Sequence, residues 1–384
     1  MDLKQTNLSA NHIQSRGRKV SNVAATVQLS DGPVVIEIAE TFINVGIAGE
    51  CLPRVQWTID LSSNELTQTL LKIYREYLFL QPSFRPVILV ESALNSLRVK
   101  YHLTDVLLKQ LHIPDVYFLC TQLCSIVAAE EVTAIVIDVG WKETCILAVT
   151  DFFLHPKFIQ TVHVGLKDVL LRFRSLLYQK NKNETMLENV NPVLLLPTLL
   201  QYGQVFHLQE RQPYPLSPEQ AHNSYCTHTD ENSVLDYIID GQRHSLQFSS
   251  VMTMAAVERV FEGWNALHLD IQEQSLPLVL HHFINNLSVD VRCTIQNRVL
   301  FTGMLANVPG WTRRFAEEMK VLGTEIRILS SKFPAHLSAW IGASLVGPLQ
   351  QVISGTSTTE SPFHLDRPSF LAGSLPPDWL SNSR

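Results

Sequence analysis

The sequence predicts an α/β fold, because apolar strands alternate along it with amphipathic helices. The strand signal is clearest at residues 34–38 and 134–138, where Val and Ile dominate. Each strand carries an acidic residue near its end, Glu37 or Asp138, and a tight turn and a returning strand follow. This repeat predicts two similar lobes with acidic residues facing across a cleft, an arrangement suited to Mg²⁺ held through water and a polyphosphate.

The elements of the first half follow one another in strand–helix order. Residues 1–30 are polar and lack periodicity, so we expect a flexible leader. One helix begins after the candidate cap Asn95 or Ser96 and ends before Pro114. In order, we predict a strand at 34–38, a strand at 87–90, this helix with apolar Leu97, Tyr101, Leu108 and Leu111, a strand at 116–119, a helix near 121–130, a strand at 134–138 and a returning strand at 144–149.

The second half contains an insertion and then a second run of regular elements. Residues 178–232 are rich in Asn, Gln, Pro and His around one apolar island, which predicts a peripheral subdomain. The tail is rich in Ser, Thr and Pro, and we expect it to lie over the surface. Between insertion and tail we predict a strand at 236–240, a helical region at 257–287, a strand at 298–303 and helices at 311–321 and 335–352.

Composition narrows the class of protein. The 384 residues are 46% hydrophobic and 17% charged, enough for a large core in about two to three domains. A formal charge of −6 argues against a nucleic acid or an anionic membrane as the main partner. No apolar run is long enough for a signal peptide or a membrane span. Six scattered cysteines are typical of a reducing compartment, so we expect a soluble protein of the cytoplasm or nucleus.

Five segments, in this order along the chain, resemble the actin family. The resemblance implies an actin-like fold of two facing α/β lobes around a central cleft. It divides the chain into a leader (1–30), a first lobe (31–163) with a reduced small subdomain (about 55–85), a second lobe (164–352) with a peripheral subdomain (about 180–270), and a tail (353–384). The matching segments are 37–50 with Pro53 and Arg54, 91–95 (Glu-Ser-Ala-Leu-Asn), 135–140 (Ile-Val-Ile-Asp-Val-Gly), Thr302-Gly303 with Pro309-Gly310, and 339–344 (Ala-Trp-Ile-Gly-Ala-Ser).

The resemblance also implies a nucleotide site. By position, Glu37 and Asp138 match the two acids that organise the water shell of the metal. Matches to the family's nucleotide-binding positions add Gly140, Gly165, Thr302 and Gly303. We expect ATP or ADP, if bound, to be a structural ligand, and the sequence leaves open whether Mg²⁺ accompanies it. We assign no residue as a direct metal ligand.

The phosphate-binding and hydrolytic positions depart from the family pattern. Ala39 and Thr41 replace glycines of the first phosphate turn, Glu40 replaces a hydroxyl and Asn44 replaces a lysine. A carboxylate aimed at a phosphate is repulsive by about 1 kcal/mol or more. The glutamine that positions the attacking water matches Thr121. Its neighbour Gln122 lies about 100° further around the helix. The assisting histidine matches Cys145, so we expect no catalytic residues and no enzymatic activity.

The segment between the first hairpin and the second strand is short. About 37 residues separate Arg54 from Glu91, and much of that is one candidate helix at 65–78. In actin this segment carries a small subdomain whose loop inserts into the next subunit. A subunit without that loop can join a filament but offers a poor template for the next subunit. The resemblance therefore implies a subunit that caps the pointed end of a filament.

Within the family, several local features are most similar to the pointed-end subunit of dynactin. They are Glu40, the run at 140–144, the helix end at 349–351 and Pro377-Asp378-Trp379. We therefore expect a cytoplasmic, cytoskeletal protein whose partners are the actin-related filament subunits and other pointed-end dynactin subunits, and which supports dynein-driven transport along microtubules. We expect no nucleic-acid partner and no membrane insertion. The alternatives are a nuclear actin-related protein of a chromatin-remodelling complex and a weak ATPase of the same superfamily.

Other polar groups have simpler interpretations. Cys120 and Cys124 are four residues apart, but no matching second pair of ligands exists, so we interpret them as buried structural thiols. Glu91 and Asp105 lie near or on the first helix, and we interpret them as capping and surface groups.

Overall fold

The computed structural model describes residues 32–58, 65–181, 187, 190–208, 233–239, 242–262, 274–295, 297–354 and 363–379. The expected leader and parts of the expected peripheral subdomain lie outside these ranges. The strands are β1 (Val34–Ile38), β2 (Phe42–Ile47), β3 (Val55–Thr58), β4 (Val87–Glu91), β5 (Asp115–Cys120), β6 (Ala134–Val139), β7 (Thr144–Thr150), β8 (Phe153–Val162), β9 (Ser233–Ile239), β10 (Gln242–Phe248), β11 (Arg298–Gly303), β12 (Arg327–Ile328) and β13 (His364–Asp366).

The α-helices alternate with these strands. Within the described part of the chain, none combines the length and apolar composition needed to cross a bilayer. The helices are α1 (Leu66–Ile73), α2 (Leu97–Asp105), α3 (Thr121–Ala128), α4 (Leu166–Lys180), α5 (Leu196–Tyr202), α6 (Ser250–Val257), α7 (Arg259–Glu262), α8 (Leu276–Asn286), α9 (Val289–Ile295), α10 (Trp311–Val321), α11 (Ser338–Ser354) and α12 (Arg367–Leu371).

The chain divides into two compact units, which we call the first and second units. The first contains residues 1–128 and 337–384, and the second contains residues 129–336. The lobe boundary that we predicted at residue 163 is therefore wrong. Strand β6 pairs in parallel with β11 on one side and antiparallel with β7 on the other, and β7 pairs with β8. All four strands therefore belong to one sheet of the second unit.

The sheet of the first unit has the order β13-β5-β4-β1-β2-β3 among the described residues. Strands β1, β4 and β5 are parallel, and β2 returns antiparallel to β1 after a short turn. Every residue of β1 and β4 is buried, which explains why apolar residues dominate both strands. The strand predicted at 116–119 is confirmed as part of β5.

The predicted tail contributes to this sheet instead of lying over its surface. Strand β13 pairs antiparallel with β5 along the outer edge, and Trp379 is buried. The end of the predicted second lobe is also displaced, since helix α11 packs on α3 and belongs to the first unit. These segments close the first unit because the sheet edge and the helix face would otherwise leave backbone and apolar groups in water.

Close backbone contact fixes α11 in place. A Cβ added to Gly342 would lie 1.8 Å from the carbonyl oxygen of Cys124, so only glycine permits this approach of α11 to α3. Trp340, from the same turn, is buried and donates its Nε1–H to the carbonyl of Val35 over 3.2 Å. A Cβ on Gly46 would meet the Trp340 ring at 2.7 Å. These contacts explain the glycines at positions 46 and 342, in the two segments 37–50 and 339–344 that resemble the actin family.

One main helix and a short 3-10 turn at Pro82–Phe84 lie between β3 and β4 in the described residues. Helix α1 continues as a π-helical turn over Tyr74–Leu78, which confirms the predicted helix at 65–78. The helix that begins at α2 is capped by Ser96, whose side chain accepts a hydrogen bond from the Val99 amide over 3.4 Å. Its predicted apolar residues Leu97 and Tyr101 are exposed, and the buried face instead includes Lys100 and Leu103.

The second unit is built around a sheet of order β12-β11-β6-β7-β8 in the described part of the chain. Helices α4, α6, α8 and α10 contribute to a large apolar cluster against it, with Phe173, Trp311 and Phe315 among its buried side chains. Among the described residues, strands β9 and β10 form a separate antiparallel two-stranded sheet. Strand β11 and helix α10 confirm the predicted bounds 298–303 and 311–321.

One charged network lies within this apolar interior. Arg314 is completely buried and contacts Glu258 at 2.7 Å and Glu318 at 2.9 Å. Its guanidinium also donates to the carbonyl of Phe206 over 3.0 Å and stacks 4.9 Å from the centre of the Phe261 ring. Arg314 therefore ties α10 to α7 and to the segment after α5.

Candidate functional site

The first turn of the candidate site is a tight hairpin connection between β1 and β2. The Ala39 amide donates to the carbonyl of Phe42 over 3.0 Å, so only Glu40 and Thr41 lie in the loop. Glu40 is exposed, and Thr41 is half-buried. The Ala39 amide and the Phe42 carbonyl are thus already hydrogen-bonded to each other in closing the hairpin.

Glu37, near the end of β1, accepts a hydrogen bond from a side-chain amide on β2. Glu37 and Asn44 lie directly opposite each other on β1 and β2, and they are 5% and 3% exposed. Asn44 Nδ2 donates to Glu37 Oε2 over 2.9 Å. A buried carboxylate needs such donors to offset its loss of hydration. The residue that replaces the family's phosphate-binding lysine therefore hydrogen-bonds the residue that replaces its metal-organising acid.

Gln122 is held within the first unit by polar groups near the 91–95 segment. Its Oε1 accepts the Ala93 amide over 3.2 Å and lies 3.0 Å from Cys120 Sγ. Its Nε2 lies 3.4 Å from Ser92 Oγ. The side chain is completely buried, and these contacts fix the carboxamide at the start of α3.

The second turn, between β6 and β7, depends on close backbone approach. The Gly140 amide donates to the carbonyl of Glu143 over 3.0 Å, and a Cβ on Gly140 would lie 2.8 Å from that oxygen. A Cβ on Gly165 would lie 2.4 Å from the Trp141 carbonyl oxygen. Both glycines are therefore required by local packing.

The turn also contacts the beginning of α4. The amides of Leu166 and Lys167 donate to the carbonyls of Gly140 and Trp141 over 3.0 and 2.9 Å. The Gly165 amide donates to Asp168 Oδ2 over 3.0 Å. The first N–H groups of this helix, which often bind anions, are thus paired with the turn itself.

A row of polar side chains crosses the sheet of the second unit. Asp138 is paired with Thr302 on one side and with Cys145 on the other, and Cys145 is paired with Thr161. Directly paired residues share a face of a sheet, so the four side chains lie on one face. Thr302 Oγ1 donates to the carbonyl of Ala335 over 3.1 Å. The structure therefore brings Asp138 and Thr302 together in the second unit, whereas Glu37 belongs to the first.

Gly303 ends β11 in a conformation that favours glycine. Its φ is +96°, and an added Cβ would lie 2.3 Å from the Val139 carbonyl oxygen. The close approach holds β11 against β6 at the level of Asp138. Within the described residues, no group of three or more His, Cys, Asp or Glu side chains is placed to hold a metal ion.

Glu91 has a role that the sequence analysis missed. We interpreted it as a capping or surface group, but it is completely buried and lies 2.9 Å from the ammonium of buried Lys100. Trp379 donates its Nε1–H to the same carboxylate oxygen over 3.0 Å. Burial raises the pKa of Glu91, and Lys100 opposes that shift. Its place at the end of the apolar run of β4 was the available signal.

Comparison with known proteins agrees with this architecture. A model of the actin family matches residues 61–238, a range that covers parts of both units. An actin-like protein, arp10, of Schizosaccharomyces pombe is 26% identical over 374 residues, covering 90% of this chain and 97% of that protein. The chain is similar to proteins of the actin family.

A second relative shows the same similarity. Centractin of Schizosaccharomyces pombe is 21% identical over 276 residues, covering 70% of this chain and 66% of that protein. The two α/β units confirm the predicted actin-like two-lobed fold. The chain is similar to arp10 over nearly its whole length.

Proposed function

We propose that this actin-related protein is a non-enzymatic subunit that caps the pointed end of the actin-related filament of dynactin and so supports dynein-driven transport along microtubules. Its partners are the subunits of that filament and other pointed-end subunits of the complex. Its location is the cytoplasm, on the cytoskeleton. The similarity to arp10 over 90% of the chain supports the choice of complex.

The short connection between β3 and β4 carries the proposal. Strand β3 ends at Thr58 and β4 begins at Val87, and one helix with its π-helical turn occupies most of the described residues between them. In actin the corresponding segment holds the small subdomain whose loop enters the next subunit. A chain with this reduced segment joins the filament but does not receive a further subunit.

The contacts of the first unit support a non-enzymatic role. Glu37 is hydrogen-bonded to Asn44, and Gln122 is held by Ala93 and Ser92. Hydrolysis requires an acid that organises the metal and a side chain that positions the attacking water. These residues fit a hydrolytic ATP–Mg²⁺ site poorly, and we derive no catalytic step from them.

A nucleotide, if present, has a structural role in this proposal. The residues that would hold it are the ones aligned with the family's site, namely Glu37, Asp138, Gly140, Gly165, Thr302 and Gly303. Purified full-length chain and the Asp138→Ala variant should then release phosphate from ATP at the same background rate. Release that depends on Asp138 would contradict a non-enzymatic role. Chromatography of nucleotide extracted from denatured protein identifies any resident ligand.

Affinity purification of the full chain under native conditions tests the choice of complex. We expect the dynactin filament subunits and pointed-end subunits to be recovered in fixed proportion. Phe153→Ala is the control variant, because Phe153 is exposed, lies in the second unit and is far in sequence from the reduced segment. It should recover the same subunits as the unmodified chain. Recovery only with chromatin-remodelling subunits would overturn the proposal.

A further inference from the structure

The connection between the π-helical turn after α1 and strand β4 exposes two large aromatic side chains. Phe79 and Phe84 are 76% and 73% exposed, more than any other aromatic residue in the described part of the chain. Pro82 and Pro86, from the same short connection, are half-buried. Single exposed apolar residues are common on protein surfaces, but several in one connection form a surface that another segment can cover. We call residues 79–86 the seat.

The seat begins in a backbone conformation that is unfavourable for its residue. Phe79 has a φ of +57°, in the left-handed region where glycine or asparagine is usual at the end of a helix. The Leu80 amide donates to the carbonyl of Tyr74 over 3.0 Å and holds the chain in this conformation. A bulky residue at such a position costs folding free energy, and an exposed ring regains none of it by packing. This combination favours a role for the ring in contact with another segment.

The leader enters the first unit beside the seat. Strands β1 and β4 are parallel neighbours, so the residues just before them lie side by side. Arg85 Nη1 donates to the carbonyl of Gly32 over 3.1 Å. Gly32 is also closely packed, since an added Cβ would lie 2.9 Å from the carbonyl oxygen of Ala48. The chain that precedes Gly32 therefore starts next to Phe84.

The part of the leader nearest to this point is uncharged and partly apolar. Residues 20–30 contain no Asp, Glu, Lys or Arg, and the basic residues of the leader all precede them. Their apolar side chains are Val20, Val23, Ala24, Ala25, Val27 and Leu29. The composition thus supplies apolar groups that complement an exposed aromatic surface.

The seat is within reach of these apolar groups. An extended chain spans about 3.3 Å per residue, so Leu29 and Val27 lie at most about 10 and 17 Å from Gly32. A tethered segment also needs little intrinsic affinity, because its effective concentration is on the order of millimolar. Its attachment point thus gives the leader an advantage over a separate molecule at this surface.

We propose that residues 20–30 bind the seat and cover Phe84 and Phe79, so that the apolar part of the leader is the occupant of this surface. Our expectation of a flexible leader is then limited to residues 1–19. This inference does not depend on the proposed function.

Photo-crosslinking of the full-length chain tests this placement. The probe is p-benzoylphenylalanine, incorporated at position 84 in one sample and at position 101 in another. From position 84, we expect an intramolecular crosslink to a peptide within residues 20–30, identified by mass spectrometry. Tyr101 is the control, because it is an exposed aromatic residue of the same unit that follows the opposite end of β4. It should give no such crosslink.

Two outcomes of this experiment would overturn the proposal. One is a crosslink from position 84 that joins two copies of the chain, which would make a second copy the occupant. The other is a chain in which position 84 gives no crosslink to the leader, or no more than position 101 gives.

Paired variants of the leader separate binding from mere proximity. Val27→Asp/Leu29→Asp removes apolar groups and should lower the crosslink yield from position 84 about tenfold. Thr26→Asp/Gln28→Asp adds the same charge at the neighbouring polar positions and should lower the yield by less than about twofold. Equal yields from the two double variants would show that the tether alone brings the groups together, and would overturn the proposal.

Hydrogen exchange supplies a measurement without the crosslinking group. In Phe84→Ser, residues 23–30 should exchange about tenfold faster than in the wild type, because the ring that they cover is gone. Strand β1 should not change, since Phe84 is exposed and contributes little to the core. Val99→Ser, at an exposed position on α2, is the control and should leave both segments unchanged. Equal exchange of residues 23–30 in Phe84→Ser and the wild type would contradict binding to the seat.

Discussion

Asn44 lies directly opposite Glu37 on the first hairpin and donates its side-chain amide to the carboxylate over 2.9 Å. Both side chains are buried. The Asn44 amide thus gives the buried Glu37 carboxylate a neutral hydrogen-bond donor from the neighbouring strand. This relationship distinguishes the first turn from a phosphate-binding turn that carries a lysine.

Asn44→Asp should destabilise the protein. The substitution sets two carboxylates against each other in a buried site, and we expect the free energy of unfolding at neutral pH to fall by about 2 kcal/mol. Chemical denaturation measures the change. The double variant Glu37→Gln/Asn44→Asp restores a neutral amide opposite one acid and should recover most of the loss. A single variant as stable as the wild type would contradict this interpretation.

Arg314→Met should lower the stability of the protein strongly, whereas Arg313→Met should not. The first substitution leaves Glu258 and Glu318 buried without their cation, which costs about 3 to 5 kcal/mol of unfolding free energy. Arg313 is its neighbour on α10, is about half exposed and lies 3.9 Å from Glu317, so its loss should change stability by less than about 1 kcal/mol. Similar losses in the two variants would show that the buried network is not decisive.

Gly342→Ala tests the contact between α11 and α3. The new Cβ would overlap the Cys124 carbonyl, and separating the helices should cost about 3 kcal/mol of unfolding free energy. Leu345→Ala alters an exposed position on the same helix and should cost less than about 0.5 kcal/mol. Thermal or chemical unfolding of the two variants supplies the comparison. A tolerated alanine at position 342 would be inconsistent with the described packing.

His336 should make the protein less stable in mild acid. Asn307 Oδ1 accepts the Ala335 amide, so its Nδ2 faces His336 Nδ1 at 2.9 Å and donates to a neutral ring. Burial lowers the pKa of His336. As pH falls through about 6.5, the unfolded chain takes up a proton that the folded chain does not, so stability decreases. At higher pH the group has no effect.

His336→Gln is the corresponding variant. It should lose less unfolding free energy than the wild type when denaturation at about pH 5.5 is compared with denaturation at about pH 7.5. The same loss in both proteins would assign the acid sensitivity to other groups.

Local pattern was sufficient for many elements. Gly303 ends β11 and Gly310 immediately precedes α10, and both have positive φ. These two glycines made the bounds of the strand and the helix predictable. The strands β1 and β6 were predictable because they are largely buried and therefore rich in Val and Ile. The family-like glycines Gly140 and Gly165 were recognised by position, and the structure supplies a packing reason for each.

Features that depend on distant pairing were not predictable in this way. The division of the chain near residue 128 follows from the pairing of β6 with β11, which no local pattern reports. Glu91 was misinterpreted because Lys100 and Trp379 approach it only in the folded chain. Likewise, nothing near Asn44 in the sequence indicated that its amide would meet Glu37 across the hairpin.

The position of this chain on the isolated dynactin filament is the most direct test of the proposed function. Electron microscopy of the complex, with a label fused to the N terminus of the chain, measures that position. We expect one label per filament, at the pointed end. Labels distributed along the filament, at the opposite end, or absent from the complex would contradict a pointed-end cap.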